Sequence, residues 1–250
     1  INSANFGVEV SAKNTTTTNR TASVNYFTMT VGYSYNPTFA QSAYQWYTNA
    51  DNLTLTAPLN GVAQNTSAPS LYNQGLFRLR MLLHIGGDVA PAAANYAFKL
   101  QLATKGAGAC SGSEPYSDVT TSTAIAYGDN PSLTDGQSPV VSSYPTHGSD
   151  TIVAGQYNEL NNTSITTDVV GGRDIMFDFA LKDIAAQYNA SYCFRMVNSD
   201  GSLLSAGYSV FPTLTTPIGL TNIDFVDSSG VSVLPQFPMS TITANYTCQS

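Results

Sequence analysis

The sequence predicts an all-β protein: an antiparallel β-sandwich, immunoglobulin-like or jelly-roll-like, with strand-forming N- and C-terminal arms. Three observations carry this. Apolar residues recur at every second position through most of the chain, the period of a half-buried strand. No segment sustains a 3.6-residue period long enough for a helix. Clusters of Gly, Pro, Asn and Asp punctuate the alternating runs at short intervals, as sandwiches require. The expected organisation is an N-terminal strand arm over 1–41, a core sandwich over 42–217 and a C-terminal β arm over 218–250.

In chain order, Phe6, Val8 and Val10 alternate with polar or small neighbours. After the loop NTTTTNRT, the run VNYFTMTVGYSY places Phe27, Met29, Val31, Tyr33 and Tyr35 on one face. Asn36-Pro37 ends that strand, because proline cannot donate to a ladder. AYQWYTNAD carries the single tryptophan, Trp46, between Tyr44 and Tyr47. Aromatics alternating in a strand are usually core, although such a cluster could also stack on sugars. In LFRLRMLLHI, Phe77, Leu79, Met81, Leu83 and Ile85 face in, and Arg78, Arg80, Leu82 and His84 face out. NYAFKLQLAT turns Tyr96, Phe98, Leu100 and Leu102 inward, and RDIMFDFALKD does the same with Ile175, Phe177, Phe179 and Leu181 while Asp178 and Lys182 face out. In NASYCFRMV, Tyr192, Phe194 and Met196 share the core face, which leaves Cys193 and Arg195 outside. Ser199-Asp200-Gly201-Ser202 reads as a hairpin turn, and the tail alternates again through NIDFVD and VSVLPQF.

Charge is scarce. Only 10% of residues are Asp, Glu, Lys or Arg, against about 25% in an average domain. The net charge is −7 and no stretch concentrates cations, which excludes nucleic acid as a partner. No apolar run approaches the ~18 residues of a membrane span, so direct membrane insertion is not expected. The chain begins at Ile1 and reads as a mature, secreted sequence from which a signal peptide has been removed. Asn14, Asn19, Asn52, Asn65, Asn161, Asn162, Asn189 and Asn245 head Asn-X-Ser/Thr triplets and are candidate glycosylation acceptors.

With so few cations, outward arginines carry information. Arg78, Arg80 and Arg195, with Asp178, define a candidate interface face, either solvated or covered by an arm or a neighbouring subunit. The three cysteines are Cys110, Cys193 and Cys248. An immunoglobulin-type bridge crosses the core, and Cys193 has the wrong parity for that. The expectation is therefore a Cys110–Cys193 bridge outside the core, pinning the loop KGAGACSGS, with Cys248 unpaired or intermolecular.

Catalytic signals are thin. Gly108-Ala-Cys110-Ser-Gly112 matches a nucleophile-elbow string, but SGSEPYSDVT cannot supply the helix such an elbow needs. The two histidines are His84, mid-strand, and His147, in a loop. No enzyme is expected, and no cofactor. Loop aspartates Asp129, Asp135 and Asp150 could contribute to a calcium site, though turn formation is their commoner role.

Several strings occur together in order: YQWYTNADN, FRLRMLLHI, AFKLQLA, a loop cysteine, TAIAYGDNPSLTDG, MFDFAL and YCFRMVNSDGSLL…YSVFPTLTT. Over roughly Ala43 to Pro217 this resembles a β-sandwich domain of long secreted surface proteins in the ultrasmall Patescibacteria. The ending IDFVDSSGVSVLPQF…CQS is similar to the start of a following module, which implies a partner for Cys248 beyond this chain. The resemblance implies a structural or adhesive cell-surface role and brings no catalytic residues.

The expected function is a structural subunit of an extracellular filament, pilus-like fibre or surface layer, joined to copies of itself by β-strand addition. Phe6, Val8 and Val10, or Phe27, Met29, Val31 and Tyr33, would form the donor strand. The alternatives are a monomeric adhesin or glycan-binding module on a host-cell surface, and a viral jelly-roll capsid or spike protein.

Overall fold

The structure, a computed structural model, describes residues 37–217 apart from 71–74, 88–95 and 142–144, together with isolated positions between 11 and 28. The chain divides into the units Ile1–Ser34 and Tyr35–Ser250, and the architecture below is that of the second. The candidate donor-strand residues Phe6, Val8, Val10, Phe27, Met29, Val31 and Tyr33 lie outside the described residues, as do Asn14, Asn245 and Cys248.

The described strands, in chain order, are β1 (Pro37–Thr48), β2 (Ala68–Pro69), β3 (Leu76–Gly87), β4 (Phe98–Thr104), β5 (Ser117–Asp118), β6 (Ile125–Tyr127), β7 (Thr151–Asn158), β8 (Arg173–Asp183), β9 (Ser191–Asn198) and β10 (Thr213–Thr215). They form two sheets. The first runs β1-β3-β8, with the far edge of β8 shared by β6 and β7. The second runs β2-β10-β9-β4-β5. The protein is an all-β sandwich. No helix among the described residues is long and apolar enough to cross a membrane.

Two pairings depart from a purely antiparallel arrangement: β7 runs parallel to β8, and β10 runs parallel to β2. A parallel neighbour needs a crossover. For β7 and β8 it is the segment between them, which runs along the edge of β4. There Phe98 N donates to Thr163 O, and Leu100 N donates to Asn161 Oδ1. At the bulge in β7, Gly155 leaves room for β8: a Cβ there would sit 2.7 Å from Ile175 and 2.8 Å from Phe177.

The core lies between the inner faces, and the alternation assigns it correctly. Phe77, Leu79, Met81, Leu83 and Ile85 of β3 meet Phe98, Leu100 and Leu102 of β4. Ile175, Phe177, Phe179 and Leu181 of β8 meet Tyr192, Phe194 and Met196 of β9. Each such side chain removed from water contributes about 1.5–3 kcal/mol. β1 begins at Pro37, where a strand tolerates proline, and runs straight through position 41, the expected limit of the N-terminal arm. A register shift between Gln41 and Ala43 lets Phe39 and Gln41 share the inner face with Tyr44 and Trp46. The inward Gln41 is satisfied across the sandwich: Met196 N donates to its Oε1, and its Nε2 donates to Val210 O.

The long sheet edges are covered by the sandwich's own loops. Gln41 N donates to Gly207 O, Ala206 N to Phe39 O and Thr48 N to Ala57 O along β1; Tyr157 N of β7 donates to Gln137 O. Such covering blunts edge-to-edge pairing.

Trp46 is fully buried, packed edge-on to Phe194 and against Phe77. Tyr44 and Tyr47 are buried too, so this aromatic cluster is core and not a sugar platform. As the single tryptophan, Trp46 should give blue-shifted fluorescence that iodide does not quench, moving red in one cooperative step in urea. A red-shifted, quenchable signal in native buffer would contradict this packing.

Candidate functional site

The outer face of the β1-β3-β8 sheet is a second organised layer. The antiparallel register sets Arg80 opposite Asp178, Leu82 opposite Met176 and His84 opposite Asp174. Ala43, Leu82, Met176 and Ile152 form a small apolar cluster at its centre. A charged group sits on either side.

On one side, Arg78 and Arg80 grip Asp178. Arg78 Nε donates to Oδ1 and Arg80 Nε donates to Oδ2, each at 2.8 Å, and all three side chains are fully buried. The guanidinium of Arg78 lies 4.3 Å from the centre of the Tyr157 ring, and that of Arg80 lies 5.5 Å from that of Tyr47. Arg80 also donates to Leu53 O at 2.7 Å. The Tyr157 hydroxyl donates to Glu159; burial, with that acceptor, holds the phenol well above its ordinary pKa. Arg78, Arg80 and Asp178 do face away from the core, but the chain's own loop after β1 and β7 cover them.

Arg195 is on the other sheet, so the four residues expected to form one interface face do not share one. It stands on β9, half-buried, with Nε donating to Gln101 and an η nitrogen donating to Gly112 O. Its guanidinium lies 4.0 Å from the centre of the Tyr116 ring. Alternation assigns a side chain to one face of its strand but does not say which sheet that strand joins. Cys193, two residues earlier on the same face, is bonded to Cys110 with the Cα atoms 5.7 Å apart. The disulfide and Arg195 therefore hold the same loop against the outside of the β4-β9 pair. The Cys110 sulfur is committed, so the elbow-like string has no thiolate to offer.

On the opposite side of the apolar cluster, four potential ligands converge. His84 projects from β3 and Asp174 from β8, and His147 and Asp150 come from the turn that leads into β7. Their ligand atoms all lie within 4.8 Å of one another. His84 Nδ1 is 3.1 Å from Asp150 Oδ2 and 3.7 Å from Asp174 Oδ1. His147 Nδ1 is 3.2 Å from Asp150 Oδ2 and 3.3 Å from Asp174 Oδ2. Asp174 is fully buried, and burial raises its carboxyl above the ordinary range despite the Ser42 hydroxyl, which donates to Oδ1 at 2.8 Å. The turn is held from below by Gln64, whose Nε2 donates to Thr146 O and whose Oε1 accepts from Thr146 N.

The expected calcium aspartates do not come together. Asp150 belongs to this cluster, whereas Asp135 accepts from Glu159 N and Asn162 Nδ2 and braces a turn. The signal that would have found the cluster was present: the register that pairs Arg80 with Asp178 also pairs His84 with Asp174. The contribution of His147 and Asp150 depends on where a loop lands, which periodicity does not encode.

Among the candidate glycan acceptors, Asn19, Asn52, Asn65, Asn162 and Asn189 are exposed. Asn161 is not available: its Oδ1 accepts from Leu100 N and the Tyr127 hydroxyl, and its Nδ2 faces Leu100 O. No protein family, curated protein or solved structure matches the chain.

Proposed function

We propose that this protein is a non-catalytic structural subunit of an extracellular bacterial assembly, joined to copies of itself through its terminal arms. The observation that carries the reading is that the described residues between 39 and 214 pack a core of their own and cover the β1 and β7 edges with their own loops. The arms carry the alternating pattern of strands, and alternating segments are suited to pairing between chains. The disulfide and the charge-poor composition fit an oxidising exterior, and the ordered resemblance to secreted Patescibacteria surface proteins points the same way.

A second reading, an adhesin that binds glycans, is favoured by one feature. Tyr208, Phe211 and Tyr116 form a stacked, half-buried strip, with ring centres 5.2 and 6.4 Å apart. Such a strip can pack against sugar rings.

Negative-stain electron microscopy of the full chain and of a variant lacking Ile1 to Tyr35 separates the two. Ordered fibres or layers that vanish on deletion, while the truncated chain keeps its cooperative melt, are the expected result. A monodisperse full-length monomer that binds oligosaccharide would overturn the assembly reading.

A further inference from the structure

We propose that His84, His147, Asp150 and Asp174 bind one divalent transition-metal ion, with Zn2+ the best match. The proposal stands apart from the assembly reading, since it concerns residues of the sandwich alone.

Geometry carries it first. Zinc bonds of about 2.0–2.1 Å to nitrogen and oxygen set donor–donor edges of about 3.3 Å in a tetrahedron. With Asp174 offering Oδ2, the nitrogen–oxygen separations are 3.1, 3.2 and 3.3 Å, while its Oδ1, 3.7 Å from His84, accepts from Ser42. The Nδ1 atom of His147 is almost equidistant from the two carboxylates. That arrangement suits a shared central cation.

The second observation is the state of His84. Its Nδ1 is sealed from solvent and makes no hydrogen bond, although Asp150 Oδ2 lies 3.1 Å away. A buried polar atom without a hydrogen bond is costly, and a metal bond would satisfy it. Charge argues the same way. Asp150 and Asp174 bring two carboxylates into one cluster, and a dication neutralises both. Ser42 adds the outer support that ligating carboxylates normally have.

The donor set selects the ion. Two imidazoles and two carboxylates suit Zn2+ and its first-row neighbours; Ca2+ prefers six to eight oxygens. Four protein donors close a tetrahedral shell, so the ion would be structural, tying the turn that holds His147 and Asp150 to β3 and β8.

The test uses the full chain, stripped with chelator and titrated with Zn2+, Co2+ and Ca2+. One Zn2+ per chain should bind, and at about a hundredfold excess over Kd the melting temperature should rise by about 5–10 °C. His147→Gln, at a half-exposed turn position, should weaken binding at least about tenfold while the metal-free chain still melts cooperatively. Co2+ should give the intense visible absorption of a tetrahedral site, a readout on the unmutated chain that does not depend on any variant folding. Absence of binding, an equal Zn2+ response in the wild type and His147→Gln, or a Ca2+ response equal to that of Zn2+ would each overturn the proposal.

Discussion

Asp178→Asn is expected to cost about 3–5 kcal/mol of folding stability, read as a lower urea midpoint at unchanged slope. The substitution keeps the size of the side chain and removes its charge. Asp178 is the anion for two guanidinium groups, and all three side chains have no exposed surface. Without the carboxylate, two buried cations stand at alternate positions of β3 with their shared counter-charge gone. Water cannot reach them, because loop residues Ala50 and Leu53 and the rings of Tyr47 and Tyr157 close the site. The asymmetry of the triad yields a sharper comparison. Arg80→Met removes one cation and leaves a neutral Arg78–Asp178 pair, so it should cost clearly less than Asp178→Asn. A loss below about 1 kcal/mol for Asp178→Asn would mean that the triad is solvated and that the loop does not seal it.

That triad also marks the boundary of what alternation can encode. The period-2 pattern puts Arg78 and Arg80 on the outer face of β3, Asp178 on that of β8, and Cys193 and Arg195 on that of β9, and each lies there. It does not say that the chain changes sheets between β3 and β4 and again between β8 and β9, so Arg195 stands on the other side of the molecule from Arg78. Neither does it show what covers an outer face. The residues that bury the arginines come from β1 and the loop after it and from β7, and their coverage depends on the path the chain takes between strands. The cluster around Asp174 lies between these cases. Its strand half, His84 and Asp174, follows from register; its loop half follows from the turn that Gln64 holds in place. The bulge at Gln41 and Ala43 hides for a different reason: one extra residue shifts the parity of everything before it.

Breaking the Cys110–Cys193 bond should remove about 4.5 kcal/mol, the loop-closure value for its separation of 83 residues. In a chain of this size that corresponds to a fall of about 9–18 °C in melting temperature. Cys110→Ser with Cys193→Ala is the suitable pair. Cys193 is fully buried beneath the loop, where serine would strand a hydroxyl, and Cys110 is only partly buried. Most of the effect acts on the unfolded chain, whose ensemble the bond restricts, and a smaller part on the native loop. The two contributions can be separated. Arg195 still reaches Gly112 O and the Tyr116 ring without the sulfur bond, so the loop should stay docked in the native double mutant. Adding Arg195→Ala should release it, seen as faster amide exchange and proteolysis around Gly112 with little further change in the melt. A reductant or double-mutant effect below about 2 °C would show that the bridge does little to restrict the unfolded chain. Peptide mapping that links Cys193 to Cys248 in the native material would show that this loop is held by Arg195 alone.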